Sequence, residues 1–531
     1  MERQSIQEIL QASQNLVQRL DGLVRSLREA PGASLEEYVP DVEAAYARLK
    51  SGLGQSPDVV LRRLRIPAVG RQALVAYVDG MADPQMVDQD IIAPLLATRE
   101  PPERWADGVI SPGHVKTAKR WEAIEAALVA GNTLVFADGL GEVLVADTTK
   151  FKQRSIERPE TEMSVRGPAE AFNEVILTQM NQIRRRIQTP ALRFKQLKVG
   201  QVQQVAVVVV YLEGLTNPAL VETVVERVER IRVDGIPDAS MIGGLIRDHP
   251  RSIFPTIRAT ERVDVACWRL LEGKVVILVD GDPSVLIAPA PLADFYRTAM
   301  DYTSPWYDAT FVRFIRWGGW ALGVYLPAVY IALTEVNVNL VPAALLTLVA
   351  GAHAGLPFPP IGEAMLMIFV IEVLREAALR LPKVLSTTIG TVGAIVVGTA
   401  VVKAGLVSPQ VIVLITLTAL SFYSVPVYEL TGTWRLVNFV MLLAAAVFGV
   451  LGIVLVSMLL VGELTAMSSF GAPYFEPFAP FRRKDFQDMV WRLPYSSYTI
   501  RATAGRPGHG PAREPAEGFP PPHLKRHKPG R

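Results

Sequence analysis

The sequence predicts an α/β soluble N-terminal region with two subdomains, followed by an all-α multi-helix transmembrane domain. Two observations support this fold class. Strand-like and helix-like segments alternate up to about residue 310, in a part of the chain that is rich in Arg, Asp and Glu. Charged residues then become rare between residues 317 and 462, where long apolar runs follow one another.

The soluble region is divided into a helical N-terminal segment (1–60) and two α/β subdomains (61–165 and 166–310). The first residues lack the continuous apolar core of a signal peptide, so we expect this region to stay in the cytosol. Strands are predicted at 73–78, 133–137, 143–146, 205–212, 274–279 and 285–287, and helices at 218–231 and 261–271. The dipeptides Asp138-Gly139 and Asp280-Gly281 are typical of hairpin turns.

Five apolar stretches predict a transmembrane domain over residues 311–470. They cover 317–334, 336–362, 384–402, 404–428 and 436–462, and a bilayer crossing takes roughly 20 apolar residues. Prolines interrupt the second stretch, which we interpret as a short helix over about 340–355 followed by a bend. Arg313 and Arg316, together with the basic residues at 482–484, predict that both flanks of the domain are cytosolic. The number of crossings and the course of residues 336–381 stay open.

A charged segment, EVLREAALRLP at 372–382, lies inside this apolar part. Charge is costly within a membrane, so such residues are candidates for function. On a helix Glu372 faces Arg375, and Glu376 faces Arg380; Glu363 precedes them in the same predicted helix. One interpretation is a surface helix along the cytosolic edge of the membrane. The interpretation we favour is an interior helix, with partly buried ion pairs between subunits or beside a pore.

Small residues share one helical face within the stretch 384–402, among them Thr387, Thr391 and Gly398. Such a face lets helices pack closely in lipid, and it can equally line a narrow polar path. These three residues therefore join the charged ones as candidate pore or inter-subunit positions.

Residues that commonly catalyse reactions or bind metals form no recognisable pattern. Cys267 is the only cysteine, which excludes an intrachain disulfide and a cysteine-based metal site. His353, in an apolar run, is predicted to be packed or interfacial. We therefore predict no enzyme activity, no catalytic, cofactor or metal site, and no nucleic-acid partner. The cytosolic segment 471–500 is followed by a basic, proline-rich tail (501–531) that is predicted to be disordered.

Several longer motifs resemble those of one bacterial family. The segment ERPETEMSVRGP at 157–168, with Phe172 and Glu174 after it, is similar to a pattern of the GerA family of spore germination proteins, A-subunit type. Further matches lie at 183–187, 260–264, 272–283, 355–359, 372–382, 404–408 and 470–474. The resemblance covers about residues 60–495. Ala171, Val263 and Asp282 depart from the family pattern, at turns and helix starts.

This resemblance implies a membrane subunit of a spore germinant receptor. Such a subunit is expected in the inner membrane of the spore, with a nutrient-holding B subunit and a lipoprotein C subunit as partners. It is also expected to assemble with its own copies, within membrane lipid, into a ring that conducts cations when nutrient binds. A close paralogue, SpoVAF, implies an accessory channel in the same membrane instead. A solute transporter, for which broken helices are typical, and a non-conducting membrane scaffold are the interpretations from other classes.

Overall fold

The computed structural model describes residues 37–150, 159, 162, 166–380, 399–483 and 485–494. The chain divides into two compact units, Met1–Gln153 with Arg184–Arg193, and Arg154–Ile183 with Phe194–Arg531. The first unit contains an α/β module, and the second contains another α/β module that is joined to a bundle of apolar helices. The predicted fold class, α/β followed by all-α, is confirmed.

The first module is a five-stranded antiparallel sheet in the order β1-β2-β4-β5-β3. The elements are α1 (Val42–Ser51), β1 (Val59–Ile66), β2 (Arg71–Val78), a composite helix α2 (Pro84–Met86, Val87–Ile92 and Ala93–Ala97), α3 (Trp105–Gly108), β3 (Val115–Ala118), α4 (Trp121–Val129), β4 (Thr133–Ala137) and β5 (Val143–Ala146). Alternate residues of a strand point to opposite faces. In β2, Leu74 and Ala76 therefore pack with α1 and α4, whereas Ala73 and Val75 pack with α2 and α3.

Helix α1 is part of this module. Its buried residues Val42, Ala45 and Leu49 lie in the same core as β2 and β4. Asp41 caps its first turn by accepting from the N–H groups of Glu43 and Ala44. The sequence placed residues 42–51 in a separate N-terminal segment, because helical periodicity does not show which sheet a helix packs on.

The second module has a sheet in the order β6-β7-β9-β10-β8. Val207 and Val209 of the interior strand β7, which lies between β6 and β9, pack against α6 and α7. The elements are α5 (Ile176–Arg186), β6 (Leu192–Val199), β7 (Val205–Leu212), α6 (Pro218–Glu229), α7 (Ala239–Ile246), β8 (Arg258–Thr260), α8 (Val263–Leu271), β9 (Val275–Val279) and β10 (Val285–Ala288). The predicted strands at 205–212, 274–279 and 285–287 correspond to β7, β9 and β10.

The two modules repeat the same architecture. Their strand orders are identical once the strands are renumbered. In the first, the carboxylate of Asp138 accepts from the N–H of Val42 at the start of α1, at 3.1 Å. In the second, Asp280 accepts from the N–H of Ile176 at the start of α5, at 3.3 Å. Each aspartate thus joins a hairpin turn to the first helix of its own module.

The repeat is also visible in the sequence when the structurally equivalent segments of the two modules are aligned. YVDGMADP at 77–84 matches YLEGLTNP at 211–218, and in both a Pro begins a helix that a polar residue caps. Gly80 and Gly214 have φ angles of 78° and 77°, which only glycine adopts without strain. We infer that an internal duplication produced the α/β region.

The helical bundle belongs to the second unit. Its helices are α10 (Trp306–Ile331, extended by a π turn, Ala332–Val336), α11 (Ala343–His353), α12 (Pro360–Arg380), α13 (Pro409–Tyr423), α14 (Tyr428–Phe448) and α15 (Val450–Ala466). Leu292–Tyr296 and α9 (Met300–Thr303) precede it, and β11 (Ser468–Ser469), β12 (Ala472–Pro473) and α16 (Phe486–Met489) follow it. Within the described ranges, Trp306–Val336 and Tyr428–Phe448 are long and apolar enough to cross a membrane.

The bundle has a near end, next to the second module, and a far end. At the near end, Thr433 of α14 donates to the backbone oxygen of Ile253 at 2.7 Å. At the far end, the side chain of Asn337 accepts from the N–H of Val450 at 2.8 Å. Helices α10 and α14 therefore run side by side from the near end to the far end.

The apolar run 436–462 contains a helical hairpin, where the sequence indicated one continuous stretch. Gly449, with a φ of 61°, separates α14 from α15. Helix α15 returns to the near end, because Ser457 contacts Tyr325 of α10 at 3.2 Å and Glu463 accepts from Ser252 at 2.8 Å. Hydropathy could not reveal this turn, since both of its arms are apolar.

Replacing Gly449 by valine is expected to destabilise the bundle by about 1–3 kcal/mol. A side chain there must adopt a left-handed backbone conformation, and its Cβ would meet Oδ1 of Asn337 at 1.9 Å. Gly462→Ala is the control, because a Cβ at that α15 position meets nothing within 4 Å. Thermal unfolding of the full chain in detergent measures both variants. Equal unfolding temperatures would contradict the structural importance of the turn.

Candidate functional site

Residues 372–380 of the charged segment form the last turns of α12 and lie at the near end of the bundle. Arg375 donates to Glu372 at 3.0 Å, as the spacing predicted. Arg435 of α14 donates to the other oxygen of Glu372 at 2.5 Å. Two arginines from different helices therefore share one carboxylate. Arg435 was not among the predicted residues, because its partner is distant in sequence.

A cavity of about 460 Å³ adjoins these arginines. Arg375 and Arg435 line it from the helices, and Nε of each has no hydrogen-bond partner in the part of the chain that the structure describes. The guanidinium group of Arg375 also lies 5.8 Å from the ring centre of Tyr423. Thr260 and Glu429 are further lining residues, so the cavity lies where the bundle meets the second module.

The second predicted pair, Glu376–Arg380, is present at 2.6 Å but lies on the surface of the chain. The exposed fractions of the two side chains are 61% and 80%, whereas Arg375 is only 13% exposed. Partial burial was predicted for both pairs, and within this chain only the first is partly buried. Their position between subunits or beside a pore stays a prediction.

Glu363 lies at the far end, fully buried, and we call its surroundings the far-end cluster. It comprises Tyr330, Glu335, His353, Glu363 and Ser408. Glu363 faces Nδ1 of His353 at 2.7 Å and accepts from the N–H of Ser408 at 2.7 Å. Nε2 of the histidine lies 3.0 Å from the hydroxyl of Tyr330, and Glu335 accepts from the N–H of Ile361 at 2.8 Å. The cluster joins α10, α11, α12 and the start of α13.

The three small candidate residues, Thr387, Thr391 and Gly398, lie outside the described residues. Their role in packing or in a polar path stays a prediction. The structure therefore brings Glu372 and Arg375 together with Arg435, and separates them from Glu363 by most of the length of α12.

A second group of charges, buried beneath the bundle, was not predicted. Lys274 contacts the carboxylate of Asp294. Arg297 donates to Asp294 at 3.1 Å and to Glu272 at 2.6 Å, and Arg269 donates to Glu272 at 2.8 Å. We call these five residues the junction network. The sequence signal was the pair of charges flanking Gly273. They belong to the motif 272–283, but their burial in ion pairs was not predicted.

Burial and mutual attraction act against each other in the junction network. Burial opposes ionisation of Glu272, but Arg269 and Arg297 outweigh it and lower its pKa to about 2. Burial lowers the pKa of Lys274 to about 8, against the attraction of Asp294. The network is therefore charged near neutral pH, and each charge depends on its partners.

The junction network continues into the first long apolar helix. Asp301 accepts from Arg313 at 2.9 Å and from Arg316 at 2.8 Å. Asp488 of the C-terminal segment accepts from Arg297 at 2.5 Å. The two arginines of α10 were predicted to flank a membrane span in the cytosol. They are buried in ion pairs, and their position on the cytosolic side stays a prediction. Arg313 also lies 3.5 Å from Asp488, so the start of α10 is tied to the junction network.

The end of α15 is attached to the same module. The hydroxyl of Ser469 donates to the backbone oxygen of Thr256 at 2.6 Å and accepts from the N–H of Ala290 at 3.0 Å. Arg227 of α6 lies 4.6 Å from the ring centre of Phe470. The bundle is thus joined to the module through both its first and its last helix, so displacement of the module would move both.

Two described residues of the motif 157–168 lie against the same module. Glu162 accepts from Arg258 of β8 at 3.1 Å. Arg262, which precedes α8, donates to the backbone oxygen of Pro168 at 2.8 Å and to Asp264 at 2.8 Å. Glu162 and Pro168 are therefore in contact with residues of the motif 260–264 and the adjoining strand, which gives these residue types a structural reason. Among the described residues, no group of three or more His, Cys, Asp or Glu could hold a metal ion.

Comparison with known proteins identifies the family. Residues 47–504 match the family described as Bacillus/Clostridium GerA spore germination protein. The chain belongs to the GerA family. Its relatives there include spore germination protein KA of Bacillus subtilis (strain 168), which is 35% identical over 86% of this chain and 85% of that protein. Spore germination protein GerLA of Bacillus cereus is 35% identical over 84% of this chain and 92% of that protein.

A solved structure is also similar to this GerA family chain. It is the crystal structure of the N-terminal domain of the A subunit of the Bacillus megaterium spore germinant receptor GerK3. It is 27% identical, covers 48% of this chain and 97% of that chain, and has a TM-score of 0.37. Membership of the GerA family itself rests on the match over residues 47–504 and confirms the resemblance on which the sequence prediction relied.

Proposed function

We propose that this chain is the A subunit of a spore germinant receptor in the inner membrane of the spore. Copies of it form a cation-conducting channel, which opens when a nutrient binds a partner subunit. The names of the relatives, which are spore germination proteins, support the biological role. The B and C subunits of the receptor are the proposed partners, and the α/β modules face the cytosol.

The observation that carries this proposal is the ionic attachment of α10 to the second module. A signal that displaces the module can reach α10 through Asp488, which bridges Arg297 and Arg313, and can reach α15 through Ser469. Buried ion pairs suit this purpose, because separating the two groups leaves buried charges uncompensated, which is energetically costly. Displacement of the module then moves α10 and α15 together.

The charged near end gives the proposed channel a place to discriminate between ions. Carboxylates such as Glu372 attract cations and repel anions where they face a conducting path. Arg375 and Arg435 compensate Glu372 within one chain. A rearrangement that separates the three groups would therefore change the charge at this end.

Reconstitution into planar bilayers tests the proposal. We expect the chain with its partner subunits to conduct cations when nutrient is present, and to be silent without it. Asp308→Asn, an exposed position at the start of α10, is expected to behave as wild type. Absence of current in the complete, nutrient-treated receptor would contradict the channel. Current that ignores the nutrient would favour the accessory-channel alternative.

A further inference from the structure

The far-end cluster attaches helix α11, whose contacts with the rest of the described chain are otherwise few. Helix α11 has 11 residues, too few to cross a bilayer. None of its residues whose burial is described is buried. His353, at its last position, hydrogen bonds to Tyr330 of α10 and to Glu363 of α12. The position of α11 therefore depends strongly on one imidazole ring.

The hydrogen-bond geometry is compatible with two protonation states of that ring. A carboxylate only accepts hydrogen bonds, so Nδ1 of His353 carries a hydrogen toward Glu363 in both states. A hydroxyl can donate or accept, so Tyr330 can donate to Nε2 of the neutral ring or accept from Nε2 of the charged ring. Proton loss therefore leaves every hydrogen bond possible and changes only the charge.

That change of charge has a large consequence here. With a charged ring, His353 and Glu363 form a neutral pair. With a neutral ring, the carboxylate of Glu363, which is 0% exposed, keeps the ring and the Ser408 N–H as hydrogen-bond donors, but no residue that the structure describes places a cation beside it. Glu335, which caps the start of α12 by accepting from Ile361, brings a second negative charge to the cluster. A buried carboxylate without a cation is strongly unfavourable.

We propose that protonated His353 holds α11 against the far end of the bundle, and that loss of this proton releases the helix. The far end then responds to the pH of the compartment that it faces. Histidine suits this purpose because it changes charge between about pH 5 and 8. The inference adds regulation to the proposed membrane function, but its structural part does not require the protein to conduct ions.

Hydrogen–deuterium exchange of the full chain in lipid nanodiscs tests the proposal. We expect exchange in residues 343–353, corrected for the intrinsic pH dependence of exchange, to rise about tenfold between about pH 6 and about pH 8. Glu363→Gln removes the anion, so its exchange should be almost independent of pH. His353→Asn removes the cation, so α11 should exchange rapidly at every pH.

Two controls separate this effect from general damage. Glu376→Gln, an exposed position on α12, should reproduce the wild-type pH profile. Tyr330→Phe removes a hydrogen bond but not the ion pair, so it should keep the pH response. Exchange in α6 of the second module reports whether each variant is folded. A flat wild-type profile, or the same profile in Glu363→Gln, would overturn the proposal, whether or not the protein conducts.

Discussion

Replacing Asp301 by asparagine is expected to destabilise the second unit by about 3–5 kcal/mol. Asp301 is buried, and its carboxylate accepts from Arg313 and Arg316. Asparagine keeps the shape of the side chain and removes its charge. Two guanidinium groups at the start of α10 would then lose a shared counter-charge in a place that water cannot reach. Thermal unfolding of the full chain in detergent measures the loss.

Asp308→Asn is the matched control for this prediction. Asp308 lies in the first turn of α10 and is exposed, so its replacement is expected to change stability by less than about 0.5 kcal/mol. If both variants unfold at the same temperature, the ion pairs of Asp301 contribute nothing measurable and the mechanical attachment of α10 is wrong.

The effect of Asp301→Asn should also depend on pH. Burial opposes ionisation of Asp301, but the two arginines outweigh it and hold its pKa below the ordinary value. A depressed carboxyl pKa stabilises the folded state above the unfolded pKa, which is about 3.9. That stabilisation is lost as the pH falls through the folded pKa. The difference between wild type and variant should therefore shrink below about pH 4.

Local signals in the sequence predicted much of the α/β region. The turn at Asp280-Gly281 lies between β9 and β10, and Gly281 has a φ of 89°. Such turns are decided by residues that are adjacent in the chain, so the sequence reveals them. The sequence showed the neighbour Asp282 only as a departure from the family pattern. It is 9% exposed and accepts from the N–H of Ala239 at 2.6 Å, so its replacement would carry a cost of its own.

The bundle was harder to predict, because hydropathy reports composition and not direction. The apolar run 436–462, which the sequence indicated as one stretch, is a hairpin around Gly449 in the structure. Arg313 and Arg316, which the sequence indicated as charged flanks, are buried in ion pairs. The repeat of the two modules was also missed. Its matching positions are about 134 to 142 residues apart, and in the eight-residue match only the Tyr, Gly and Pro are identical.

At the candidate site, sequence spacing predicted contacts within one helix and missed those between helices. The pairs Glu372–Arg375 and Glu376–Arg380 follow from helical periodicity. The bond from Arg435 to Glu372 spans 63 residues, and the contact of Glu363 with Ser408 spans 45. Only the packing of the helices decides such distant contacts. A single sequence therefore could not show that Glu372 pairs with two arginines.

Replacing Glu372 by glutamine is expected to slow nutrient-triggered germination at least about tenfold, if the near end works as proposed. Arg375 and Arg435 would lose their common carboxylate and repel each other across α12 and α14. Glu372 is 40% exposed, so we expect a loss of only about 1–2 kcal/mol in stability, too little to prevent folding. Asp308→Asn, an exposed carboxylate outside the candidate ion pairs, is the control and should germinate normally. The rate at which spores lose refractility with saturating nutrient measures both. Because each variant removes one negative charge, equal rates would show that the shared ion pair has no part in the response.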